Sequence, residues 1–121
     1  MNKSSCKILF LLLTLLLSPA LLKASGGIWL NADKIPQTTG NALTPQITFD
    51  CSGNAIAVWG QDARARSSRY DASTGIWSDS TIISTTPGSI DTPQIAIDCS
   101  GNAIAVWEQS DRIWYSRYDA S

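Results

Sequence analysis

Five arginines (Arg64, Arg66, Arg69, Arg112, Arg117), the cysteines Cys51 and Cys99, the adjacent pair Trp114–Tyr115 and a series of spaced aspartates are the side chains that could react or bind. The chain has no histidine. That removes the commonest general base and metal ligand, and with it every Ser-His or Cys-His arrangement. Two isolated cysteines fall short of the four closely spaced ligands of a structural zinc site, so no metal and no cofactor is expected. Trp114 and Tyr115 offer amphipathic rings of the kind that stack on a sugar, and they are the tentative ligand-binding residues.

The elements that must position these residues are written twice. "TPQITFDCSGNAIAVWGQDARARSSRYDAS" (residues 44–73) lies over "TPQIAIDCSGNAIAVWEQSDRIWYSRYDAS" (residues 92–121) without a gap, at an offset of 48, with 22 of 30 positions identical. The offset also places Gly27, Ile28 and Trp29 on Gly75, Ile76 and Trp77. Two repeats follow, 27–73 and 75–121. A period near 48 falls among four-stranded propeller blades rather than helical arrays. Residues that recur serve the unit, so Arg64/Arg112 and Arg69/Arg117 read as blade residues. Trp114 and Tyr115 stand out because they replace Arg66 and Ser67 of the first copy.

Within each unit, short runs of Val, Ile, Trp and Tyr alternate with Gly, Asn, Asp, Ser and Pro, and no helical period appears. "PQIAID" predicts a first strand and "NAIAVW" a second. Between them "DCSGN" is a tight turn held by Asp50, Gly53 and Asn54, and by Asp98, Gly101 and Asn102, where Gly or Asn takes positive φ at low cost. Ala55 and Ala57 alternate with Ile56 and Val58, as Ala103 and Ala105 do with Ile104 and Val106, which suits a strand covered on both faces. "IWYSRYD" predicts a third strand, "GIWSDSTIIS" a fourth, and "GIWLNADKI" at residues 27–35 a fourth strand at the start of the repeats. The fold class is all-β, with four-stranded antiparallel repeats of the propeller type in an incomplete propeller.

The N-terminus is read separately. Lys3 and Lys7 precede the apolar run "ILFLLLTLLL" of residues 8–17, the n-region and h-region of a signal peptide over residues 1–24, with cleavage after Ala24 or Ala20. The run is short of the roughly 20 apolar residues of a spanning helix, so no stable membrane insertion after processing is expected, and the location is secreted or periplasmic. Without that segment six basic residues face ten acidic ones, a net charge of 6 − 10 = −4, which argues against nucleic acid as a partner. Export permits disulfides, but equivalent positions of blades rotated by about 60° at about 10 Å radius lie about 10 Å apart. That exceeds the limit of about 7 Å, so Cys51 and Cys99 are expected as half-buried turn thiols.

The turn "SRYDASTGIW" (residues 68–77) resembles the Asp-box that joins the third and fourth strands of sialidase-type blades in propeller proteins secreted by bacteria. Here two residues precede Asp71 and three separate it from Gly75, so the spacing departs from the family pattern. The resemblance implies that Asp71, Gly75 and Asp119 are structural turn residues. Sialidases of that type bind a carboxylate with three arginines and use a Tyr nucleophile beside an acidic residue, whereas the arginines here mostly recur with the blades. The expectation is a protein that is not an enzyme: a non-catalytic secreted propeller fragment or interaction module. The alternative is a small carbohydrate-binding lectin whose chains assemble into a ring, with a glycan as partner. Because the repeats open on a fourth strand and stop inside a turn at "SRYDAS", further blades or a homo-oligomer are expected to complete the structure, with a fragment favoured.

Overall fold

The computed structural model describes residues 26–121, and the signal-peptide assignment lies outside them. Among the described residues every regular element is a β-strand, and both sheets belong to one compact unit, Asp33–Ser121. The first sheet contains β1 (Ala42–Phe49), β2 (Ala55–Gln61), β3 (Arg64–Asp71), β4 (Ile76–Trp77) and β5 (Thr81–Ile82). Its order is β1-β2-β3, with β4 and β5 both on the outer edge of β3. The second is β6 (Asp91–Ile97), β7 (Ala103–Gln109) and β8 (Arg112–Tyr118), in that order. All pairings are antiparallel.

The registers repeat with the sequence. Ala57 faces Ser68 in the first sheet, and Ala105 faces Ser116 in the second. Both inner strands carry the same irregularity, between Leu43 and Gln46 and between Asp91 and Gln94, where Pro45 and Pro93 have no N–H to give to a ladder. Both β2–β3-type turns have positive φ at two successive residues, 52° and 57° at Asp62 and Ala63, and 54° and 58° at Ser110 and Asp111. This is the two-residue turn whose twist matches a hairpin.

Packing joins the two sheets through unlike faces. β2 presents Ile56, Val58 and Gly60 on one face and Ala55, Ala57, Trp59 and Gln61 on the other, because successive side chains of a strand point opposite ways. The branched face of the first sheet, Ile56 and Val58 with Ala65, packs against the alanine face of the second, Ala103, Ala105 and Trp107. Ile95 and Ile97 of β6 and Ile83 flank this core. Gly60 is what the contact requires there, since a Cβ would meet Ile90 Cβ at 3.0 Å and Ile90 O at 3.2 Å. The equivalent Glu108 is exposed, on the branched face of the second sheet.

The strand expectations are corrected in two places. The fourth strand of the first copy is two two-residue pieces, interrupted at residues 78–80, where the Ser78 hydroxyl accepts from Arg69 N and caps the ladder sideways. The second sheet stops at its third strand, as expected from the repeat ending at "SRYDAS". Residues 27–35, expected as a strand, are in no ladder; a strand exists only by pairing, and none of the described strands pairs with them.

Candidate functional site: the turn end, the cleft and the open sheet

At one end of the sheets the aspartate turns are built the same way twice. Asp50 Oδ1 accepts from Ser52 N at 2.8 Å and Asn54 N at 2.9 Å, and Asn54 Nδ2 donates to Asp50 Oδ2 at 2.8 Å. Asp98 accepts from Asn102 N at 2.9 Å and Asn102 Nδ2 at 3.1 Å. Gly53 and Gly101 close these turns at φ 83° and 87°, where a side chain would be strained. Each asparagine then reaches the neighbouring turn: Asn54 Oδ1 accepts from Ala72 N at 3.0 Å and Asn102 Oδ1 from Ala120 N at 3.1 Å. In that second turn Asp71 Oδ1 accepts from the Ser73 N–H and hydroxyl, and Gly75 N donates to Asp71 O at 2.8 Å with Gly75 at φ 72°. Asp119 accepts from Ser121 in the same manner.

These bonds favour the charged carboxylates. The Asn54 amide holds Asp50 below the usual carboxylate value, and the Asn102 amide does so for Asp98. The Ser73 hydroxyl lowers Asp71 and the Ser121 hydroxyl lowers Asp119. All four carboxylates are therefore engaged in holding their turns. No group of three or more Cys, Asp or Glu suited to a metal occurs among the described residues.

The turns also bring the cysteines together. Cys51 and Cys99 form a disulfide with their Cα atoms 4.8 Å apart, which overturns the expectation of two free thiols. The spacing argument assumed that the turns stand about 10 Å from a common axis; instead β6 packs beside β1 and across β2, so the turn tips converge. Toward β3 and β8 the sheets diverge. A cleft of about 340 Å³ opens there, floored by Ile56, Val58, Ala103 and Ala105 and rimmed by Ser67, Arg69 and Tyr118.

The tentative ligand pair is split by the pleat. Trp114 lies opposite Trp107, packs on the inter-sheet core, and donates Nε1–H to Gln109 O at 3.1 Å. Tyr115 lies opposite Val106 on the other face of β8 and is 73% exposed. The two rings therefore form no common stacking platform. Around Tyr115, Ile104, Val106 and Ile113 make an exposed apolar face. Sequence reasoning noticed Trp114 and Tyr115 but missed this face. The signal was present in the positions where the copies differ: Ala65, Ser67 and Gly60 become Ile113, Tyr115 and Glu108, all larger and all on one face.

No family model, no curated protein and no solved structure matches this chain.

Proposed function

We propose that this chain is a non-catalytic, exported β-propeller-type module, two neighbouring blades whose role is assembly and interaction rather than turnover. The observation that carries the reading is the head-to-tail contact between copies: the branched face of one repeat receives the alanine face of the next. A contact between unlike faces is heterologous, the kind that can propagate to further units and close into a ring when the rotation allows. Closed radial repetition is how propellers protect their sheets, typically with four to eight blades. The disulfide between equivalent turns adds support, since it ties the blades at the end where they approach most closely. Committing the turn aspartates to backbone bonds, together with a sequence that has no histidine, favours the non-catalytic side of the proposal.

A chain carrying residues 27–121 three times in tandem tests this reading. Electron microscopy is expected to show a closed disc that unfolds in one transition. An open rod, or beads that unfold independently, would overturn it.

A further inference from the structure

We infer that the cleft between the two sheets is a binding site for a small amphiphilic carboxylate, whose apolar body lies on the cleft floor and whose anionic head meets Arg69. The cleft is lined by residues of both sheets and of the short stretch around β5, so the inference goes beyond the blade reading and does not depend on ring closure. The pleat decides which side chains enter it. Across β2 and β3, Arg69 lies opposite Ile56 and Ser67 opposite Val58, so both stand on the branched face that meets the second sheet. Across β7 and β8, Tyr118 lies opposite Ala103 and Ser116 opposite Ala105, on the alanine face that meets the first. The floor is aliphatic, with Ile56, Val58, Ala103 and Ala105 all buried, while Arg69 and the Ser67, Ser116 and Tyr118 hydroxyls stand at the rim. At about 340 Å³ the cleft falls at the lower end of the range of ligand pockets, about 300–1,000 Å³, and shares their make-up of an apolar lining with a few polar groups.

Arg69 has a fixed root and a free head. Its backbone is held on both sides, since Arg69 N donates to Ser78 Oγ at 3.0 Å and Arg69 O accepts from Ser78 N at 2.8 Å. Its guanidinium makes no ion pair and donates no hydrogen bond among the described residues, although the residue is half-buried. The carboxylates that feel its charge are engaged elsewhere: Asp50 is held low first by Asn54 and Asp71 first by Ser73, with Arg69 the least influence on each. The second copy shows the alternative. Arg117, the counterpart of Arg69 at the 48-residue offset, also borders the cleft, but it lies 3.7 Å from Asp119 and its side chain is 65% exposed. A guanidinium held beside an apolar floor without an acceptor favours an anion that brings its own apolar surface. A carboxylate fits the planar fork with two parallel hydrogen bonds, and low-dielectric walls strengthen them. A neutral sugar would leave the charge unmatched and set its hydroxyls against Ile56 and Val58, while an inorganic anion would leave the floor uncovered.

Octanoate and octanol, alike in their chains and different in the head group, test the assignment by calorimetric titration of the purified protein. Octanoate is expected to bind about tenfold more tightly than octanol. Arg69→Gln should weaken octanoate by about tenfold and leave octanol within about threefold. Arg69→Lys, which keeps the charge but loses the fork, should fall between. Ser116→Phe, which puts a ring into the cleft, should remove both ligands, and Arg112→Gln, outside the cleft, should change neither. Circular dichroism checks that each variant folds. Amide shifts on adding octanoate to the unaltered protein, expected at Ile56, Val58, Ala105 and Tyr118, locate the site without any substitution. No binding of octanoate, equal affinity for octanol, or shifts confined to the exposed face around Tyr115 would each overturn the inference. If the tandem chain closes into a disc and the cleft takes up no octanoate, the blade reading stands and this inference falls.

Discussion

The four turn aspartates act through hydrogen bonds that only a carboxylate accepts in full. Their lowered pKa values mean that they stabilise the fold above the ordinary carboxylate value, 3.8, and that this contribution is lost as the pH falls through the still lower folded values. Thermal unfolding between pH 2 and 6 should therefore show a melting temperature that drops below about pH 4. The Asp50→Asn, Asp98→Asn double variant should be less stable at neutral pH and show a shallower acid slope; a slope equal to that of the parent would refute the assignment. A second residue-scale test concerns Ala63, which sits at φ 57° in a turn that favours glycine or asparagine. Left-handed φ costs a residue with a Cβ roughly 1 kcal/mol. Ala63→Gly should raise stability by about that amount in a urea titration, since relief of strain exceeds the entropy added to the unfolded chain.

Between elements, the energetics concentrate where the sheets meet. The disulfide joins residues 48 apart, and closing a loop of that length in the unfolded chain corresponds to about 4 kcal/mol. The Cys51→Ser, Cys99→Ser variant should lose much of that, read as a lower denaturation midpoint. A mass spectrum of the purified native protein should be two hydrogens lighter than the reduced chain, and two free thiols in the native protein would remove the bridge from the account. Gly60→Glu makes the second copy's residue in the first copy and asks whether the faces are interchangeable. A side chain there collides with Ile90, and a carboxylate would be buried against the apolar core, so a loss of about 3 kcal/mol or more is expected. The reverse change, Glu108→Gly, removes only an exposed side chain from a strand and should cost less than about 1 kcal/mol. Equal effects at the two sites would contradict the head-to-tail packing.

For the whole molecule, a heterologous stack explains why the two copies diverge where they do. The first copy keeps Gly60, Ala65 and Ser67 on the face that another sheet covers, while the second carries Glu108, Ile113 and Tyr115 on the corresponding open face. Arg69 and Arg117 both line the cleft between the sheets, and Arg117 also lies 3.7 Å from Asp119. On the proposed non-catalytic reading, the purified protein is expected to release no sugar from a fluorogenic sialoside. Release that disappears on Tyr115→Phe would establish a catalytic tyrosine and sink the non-catalytic reading.

The strand and turn plan was legible in the sequence, because alternation, glycine placement and the Asp–Asn turn chemistry are local and were written twice. "DCSGN" specified its own hydrogen bonds, and the alternation of Ala55, Ile56, Ala57 and Val58 specified two faces. What the recurring positions could not show was which face met which, since residues shared by both copies carry no information about the order of stacking. The disulfide was missed for the same reason: the separation of Cys51 and Cys99 in space depends on how closely the inner strands β1 and β6 approach. Trp114 and Tyr115 looked like a pair because they are adjacent in the chain, but a pleated strand sends neighbours to opposite faces, and only the packed sheets decided which ring became core and which stayed exposed.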